Sequence, residues 1–165
     1  MTDRPVPVPY EGFFQVRDDW LDDNGHMNVA FYIRAFDEGS NPFFDDIGLG
    51  WDYTRSGVGS VFMVNCNLDF KRELFAGDAL RVTTQLIDWN DKLLHLYLAL
   101  YNVEKGYLAA VSETMFIHIS FATRRGTAMP EEATARLDRV MRAHSAMGRP
   151  ANLGRPIGIR RQLPL

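Results

Sequence analysis

Four runs of alternating apolar and polar residues follow one another between positions 62 and 119, and they limit the fold more than any other feature of the chain. Phe62, Val64, Cys66, Leu68 and Phe70 stand opposite Asn65, Asn67 and Asp69. Leu80, Val82, Thr84 and Leu86 alternate with Arg81, Thr83 and Gln85, and Leu94, Leu96, Leu98 and Leu100 with His95, Tyr97 and Tyr101. Ala109, Val111, Met115, Ile117 and Ile119 form the last run. A period of two places successive side chains on opposite faces, so each run predicts a strand with its apolar set toward a core. The connections at 88–92 and 104–106 are short and polar, which suits antiparallel neighbours.

Ahead of these runs the period is that of a helix. Val29, Ile33, Phe36, Phe43, Phe44 and Ile47 recur near 3.6 residues, predicting a helix from 29 to about 47 with that face buried. Asn41-Pro42 interrupts it, since proline lacks a donor and disfavours a helical predecessor. Residues 12–16 read as a first strand, residues 1–11 as an extended proline-bearing lead-in, and 48–59 as a glycine-studded loop. Pro130 opens a second helix running to about Ser145, with Ala133, Leu137, Val140 and His144 on one stripe. Residues 147–165 are rich in Gly, Pro and Arg and predict a tail along the surface. The expectation is one α+β domain over 1–165, a long central helix wrapped by an antiparallel sheet of about five strands.

The chain has 165 residues, enough for one real core. Its net charge of -3 argues against a nucleic-acid partner. No run approaches the about 18 apolar residues of a membrane span, and the start has no apolar stretch like a signal peptide. Cys66 is the one cysteine, which excludes an intrachain disulfide. A cytoplasmic protein with no membrane partner is expected.

Chemistry concentrates at Asp22-Asp23-Asn24-Gly25-His26-Met27-Asn28, at the mouth of the first helix. The first N–H groups of a helix lack intrahelical partners and carry partial positive charge, so negative charge on a substrate or transition state is welcome there. Asn28 has the character of an N-cap. Only one of the adjacent Asp22 and Asp23 can face a site, and the other serves the turn. His26 either meets substrate or holds the turn through backbone.

The motif Asp22-x-x-Gly25-His26-x-Asn28 with Tyr32, followed by Phe70-x-x-Glu73-x-x-x-Gly77-Asp78, resembles hotdog-fold acyl-CoA thioesterases of the 4-hydroxybenzoyl-CoA thioesterase-like superfamily. Within them it is similar to the betainyl-CoA thioesterases of carnitine breakdown. That similarity rests on DDNGHMNVAFY, Phe36-Asp37, Lys92-x-x-His95, Glu113-x-x-x-x-His118, Arg124-Arg125 and GRPIG at 154–158. Where that group usually carries an acidic residue, a histidine and a tyrosine, this chain has Asn65, Asn67 and Phe70.

The resemblance implies hydrolysis of a short acyl-CoA, with Asp22 as nucleophile or general base and backbone N–H groups near Gly25 and Val29 holding the oxyanion. His26 would polarise the carbonyl or position water. Asn28, Tyr32, Asn65, Asn67 and Glu73 would touch substrate, although Asn28 is equally explained by capping and Glu73 and Asp78 by orienting a loop. Asn65 and Asn67 face either solvent or a partner's site. Phe31, Trp51, Tyr53 and Trp89 are aromatics available to a cationic acyl group. His95, Glu113 and His118 lack close ligand spacing, so no metal is expected, and no cofactor beyond the substrate's coenzyme A. Glu113 sits among apolar neighbours and needs an Arg or His partner. Arg149, Arg155, Arg160 and Arg161 either meet CoA phosphates or remain solvated. The resemblance implies a homodimer or dimer of dimers with sites built from two chains. The alternatives are an enoyl-CoA hydratase or dehydratase on the same fold and a non-catalytic acyl-CoA-binding module.

Overall fold

The computed structural model of the chain describes residues 4–157. Its elements are strands β1 (Tyr10–Gln15), β2 (Gly59–Phe70), β3 (Ala79–Trp89), β4 (Leu93–Asn102) and β5 (Leu108–Ser120), and helices α1 (Val29–Gly39), α2 (Asn41–Asp46), α3 (Trp51–Arg55) and α4 (Glu131–Ser145). The five strands form one antiparallel sheet in the order β1-β3-β4-β5-β2, which leaves β2 as an edge. The fold is the expected central helix held against an antiparallel sheet.

The long helix is shorter than the periodicity implies. It ends at Gly39, Ser40 forms the break, and Pro42 sits in the first turn of α2, where its missing donor costs nothing. The buried face of α1 is Tyr32, Ala35, Phe36 and Gly39. Val29 and Ile33, expected in the core, are 58% and 43% exposed. The cause is close packing at the far end of the helix. A Cβ on Gly39 would lie 2.4 Å from Cβ of Val82, and a Cβ on Gly12 would lie 2.4 Å from the Gly39 carbonyl oxygen. The residue facing β1 and β3 must therefore be glycine, and this turns the 29/33 stripe away from the sheet.

The faces of β3 and β4 are as expected, with Leu80, Val82, Thr84, Leu86, Leu94, Leu96, Leu98 and Leu100 buried. Those of β2 and β5 are not. Ala109 is an extra residue between the Leu100–Ala110 and Tyr101–Leu108 pairs. One inserted residue moves every later side chain to the other face. Phe116 therefore enters the core with Ser112 and Thr114, while Met115 and Ile117 lie on the outer face beside Glu113. The buried hydroxyls satisfy each other, with Ser112 2.6 Å from Thr114 and 3.3 Å from the Cys66 sulfur. In β2 the extra residue is Val64, so Cys66, Leu68 and Phe70 keep the core side while Phe62 crosses to the outer side. Phe62 is 39% and Val64 56% exposed on this edge.

Helix α4 buries Ala133, Leu137, Val140 and His144, the expected stripe. His144 accepts from the Leu86 N–H at Nδ1 (2.8 Å) and donates from Nε2 to the Pro7 carbonyl (3.0 Å). Arg136 donates to the Arg4 and Pro5 carbonyls, so the lead-in is strapped along α4. At the other end, the tail crosses the outer face of the sheet. Asn67 donates to the Arg155 carbonyl (3.0 Å), and Arg155 pairs with Asp69 (2.8 Å). Gly158, Arg160 and Arg161 lie outside the described residues. Among those residues no helix is long and apolar enough to cross a membrane.

Candidate active site

The turn before α1 is built by its own carboxylate. Asp22 Oδ1 accepts from the Asn24 N–H (2.9 Å), and the Asp22 carbonyl accepts from the Gly25 N–H (2.9 Å). Gly25 has φ of 80°, the left-handed conformation this reversal needs. The second carboxylate oxygen, Oδ2, has one long contact, to the Asn28 side-chain amide at 3.4 Å. Asp23 is exposed and Asp22 half-buried. Of the two carboxylates, Asp22 is the one held in place with an oxygen left open.

Asn28 is the N-cap of α1, its Oδ1 accepting from the Ala30 N–H at 2.9 Å. The turn is pinned from both sides. The Asn28 N–H donates to the Trp20 carbonyl (2.9 Å) and the Met27 N–H to the Leu74 carbonyl (2.7 Å). Trp20 and Leu74 are fully buried, and Trp20 stacks on Phe31 at 5.4 Å. The loop carrying Leu74 is fixed by Asp78, whose carboxylate accepts from the Phe75 N–H and from Lys105, each at 2.9 Å. Burial acts to raise the Asp78 carboxyl, but Lys105, the Phe75 N–H and Asn102 together hold it below the usual range. Asp78 thus orients the loop.

Of the two backbone donors expected for the oxyanion, Gly25 is unavailable, because its N–H already closes the turn. The Val29 N–H, at the first helical position, has no partner among the described residues. It lies in the positive end of the helix dipole. His26 is half-buried, with Nε2 3.7 Å from the exposed Glu73. Asp22, His26, Asn28, Val29 and Glu73 are therefore brought to one helix mouth.

The remaining expected residues are placed elsewhere or hold structure. Tyr32 is buried, packs edge-on to Phe70 at 5.0 Å, and points its hydroxyl to the Arg72 carbonyl (3.4 Å). Burial, and then the charges of Tyr107 and Glu73, push its pKa up to about 12. These contacts anchor α1 to the strand end. Asn65 is exposed on the edge strand. Asn67 lines a cavity of about 310 Å³ on the outer face with Asp69, Tyr97, Glu113 and Arg155. Glu113 has the histidine partner it needs: His95 Nε2 lies 2.9 Å from Oε1, and the Gly154 N–H donates to Oε2 at 2.6 Å. His118 is remote from that pair. It donates from Nδ1 to the Thr127 carbonyl and accepts at Nε2 from the Tyr53 hydroxyl, both at 2.9 Å.

Asp37, which the sequence marks only as half of the Phe36-Asp37 pair in the resemblance and assigns no role, lines a second cleft with Phe44 and Trp51. A carboxylate on an exposed helix stripe reads as solvated, and only the fold places aromatic rings beside it.

The family model described as the thioesterase-like superfamily matches residues 16–137. A betainyl-CoA thioesterase of Pseudomonas aeruginosa is 34% identical over 141 residues, covering 86% of this chain and 89% of that protein. The L-carnitine dehydrogenase/betainyl-CoA thioesterase of Ruegeria pomeroyi is 34% identical over 139 residues, 84% of this chain and 28% of that longer protein. A hypothetical protein of Staphylococcus aureus, solved in complex with CoA, superposes with a TM-score of 0.84 at 28% identity, covering 96% of this chain and 99% of that one.

Proposed function

Because the chain belongs to the thioesterase-like superfamily and is an acyl-CoA thioesterase, we propose that its helix mouth is the catalytic site and that its substrate is a short, cationic acyl-CoA, betainyl-CoA. The observation that carries the site is the pairing of an open Asp22 oxygen with an unpartnered Val29 N–H at one end of α1.

A thioester carbonyl seated at this mouth directs its oxygen to the Val29 N–H, where the helix dipole favours the charge that develops. Acting as a base, Asp22 takes a proton from water as the water oxygen bonds to the carbonyl carbon. The tetrahedral oxyanion then collapses, the C–S bond breaks, and the CoA thiolate recovers the proton. Acting as a nucleophile, Asp22 bonds to the carbonyl carbon itself, expels CoA thiolate, and is released when water cleaves the anhydride. Both routes use the same oxygen and the same N–H. His26, beside Glu73, is positioned to orient water or the carbonyl. No cofactor takes part beyond the coenzyme A of the substrate.

The acyl group is read from the relatives named as betainyl-CoA thioesterases. A trimethylammonium has no N–H to donate, so its recognition rests on aromatic faces and negative charge. The hydratase and binding-module alternatives gain no support from these relatives. We further propose a homodimer through β2, since an edge strand with exposed Phe62 and Val64 offers its unpaired backbone to a second copy. The free thiol of Cys66 suits a cytoplasmic location.

The test is release of free thiol from a panel of acyl-CoAs. Betainyl-CoA should have the highest kcat/KM, above 3,3-dimethylbutanoyl-CoA, in which carbon replaces the quaternary nitrogen. Equal or faster turnover of the neutral compound would replace this reading with a general short-chain thioesterase.

A further inference from the structure

A cleft of about 70 Å³ opens between the end of α1, helices α2 and α3, and the start of β2. Asp37, Phe44, Trp51, Ser60, Val61 and Phe116 are on its wall. The Asp37 carboxylate has no hydrogen bond or ion pair among the described residues, and the nearby basic groups are engaged elsewhere. Arg34 binds Glu38 at 2.7 Å and Arg55 binds Asp52 at 2.5 Å. Thr54 and Ser60 satisfy each other at 3.0 Å. Solvent reaches Asp37, yet the apolar mass around it, and then the charge of Glu38, raise its carboxyl above the usual value.

Besides Asp37 the wall offers only neutral polar side chains, Asn41 and the mutually bonded Thr54 and Ser60, a weak match for the several acceptors an ammonium with N–H groups requires. A cation without N–H groups needs only diffuse negative charge and aromatic faces. One carboxylate with the half-exposed indole of Trp51 and the rings of Phe44 and Phe116 matches the second description.

Within one chain the cleft is too far from the catalytic turn. Asp37 follows Val29 by eight residues, about 12 Å along the helix, whereas the nitrogen of a betainyl group is one methylene beyond the carbonyl. Two chains remove the difficulty. Val29, Ile33 and Asp37 share the i, i+4, i+8 stripe of α1, and the first two are exposed away from the sheet. The cleft sits at the start of β2, by Ser60 and Val61, and the Asp22 turn sits at its end, where Tyr32 packs on Phe70 and Met27 bonds to Leu74. Antiparallel pairing of two β2 edges about a two-fold axis brings the start of one strand to the end of the other. In the proposed dimer this carries the cleft of one copy toward the catalytic turn of the other.

We infer that Asp37 and Trp51 of one copy receive the quaternary ammonium of the acyl group whose carbonyl is held at the Asp22 turn of the other. This rests on the cationic-acyl reading above and adds the residues that select the cation.

Two measurements on the full chain test it. The first compares kcat/KM for betainyl-CoA and 3,3-dimethylbutanoyl-CoA in the wild type and in Asp37→Asn. The ratio of the two should fall about tenfold in the variant, a loss of about 1.4 kcal/mol. An equal loss on both substrates, or no loss on either, overturns the inference. The second titrates tetramethylammonium into protein labelled with ¹⁵N at the tryptophan indoles, the Trp51 resonance being assigned with Trp51→Phe. A saturable shift of that resonance in the wild type, abolished by Asp37→Asn, supports the cleft as the cation site, and its absence overturns it. If tetramethylammonium binds there but the wild type does not prefer betainyl-CoA, the cleft assignment survives as a cation site and the betainyl reading of the function falls.

Discussion

The open oxygen of Asp22 lies 3.4 Å from the side-chain amide of Asn28, the same residue whose other side-chain atom caps α1 at Ala30. One asparagine thus ties the carboxylate to the helix end proposed to face the developing charge. Asp22→Asn preserves shape and removes the charge, so kcat should fall by at least about 100-fold. Asp23→Asn, at an exposed position, should change kcat little. Steady-state rates of the two variants decide between them, and equal small losses would remove Asp22 from the mechanism.

Asn28→Ser separates the two duties of that residue. Serine caps a helix about as well as asparagine, but it has no amide to offer Asp22. The urea midpoint should therefore stay near that of the wild type while kcat drops about tenfold. Asn28→Ala should lose about 1 kcal/mol of stability as well. A serine variant with full activity would show that the Asp22–Asn28 contact has no part in positioning.

Gly39 is held to its identity by Val82. An added methyl would start 2.4 Å from the Val82 Cβ, and Gly39→Ala should cost about 1–3 kcal/mol by overpacking. Combining it with Val82→Ala should recover part of that loss, as coupled neighbours do. Urea unfolding of the two single variants and the double variant measures the coupling, and strict additivity would show that helix and sheet do not meet there.

His144 makes stability depend on pH in a defined direction. Burial lowers its folded-state pKa below 6.5, opposed by the hydrogen bond to Pro7. The unfolded chain therefore takes up this proton first as pH falls below about 6.5, and the folded state loses stability until its own pKa is reached. Urea midpoints should decline as pH falls through the ordinary histidine value of 6.5 and level off below the lowered folded-state value. The decline should be shallower in His144→Gln, which starts from a lower stability.

A dimer through β2 should be broken at its exposed edge. The wild type should sediment as a dimer or larger at micromolar concentration, and Val64→Arg should shift it toward monomer with loss of thioesterase activity. A wild type that sediments as a monomer would remove the shared site.

Much of this molecule is legible in the residues alone. The stripe of α4, the buried leucines of β3 and β4, and the cap at Asn28 all follow from local rules that tertiary packing did not overrule. Two single-residue bulges defeated the alternation in β2 and β5. Val64 continues the apolar Phe62-Met63 pair and alternates with Asn65 as an unbroken strand would, and Ala109 sits between Leu108 and Ala110, so nothing local marks either as the extra residue. The partner of Asn67 is 88 positions away, at Arg155, beyond the reach of any spacing argument. Gly39 was equally silent, since its role depends on a strand more than forty residues later. Asp37 is visible in the sequence only as part of the Phe36-Asp37 pair, and its place beside aromatic rings depends on the fold.

The bond from His144 to Pro7 joins residues 137 positions apart. During synthesis the lead-in and β1 leave the ribosome well before α4. Until then Leu86 and the carbonyls of the lead-in lack their acceptor and donors. The apolar stripe of the sheet that α4 covers stays wet. Sequence-distant closure of this kind is slow to form and leaves a nascent chain exposed to aggregation. A chain cut short before residue 131 is a predicted client of chaperones, even though it retains every residue of the proposed catalytic turn.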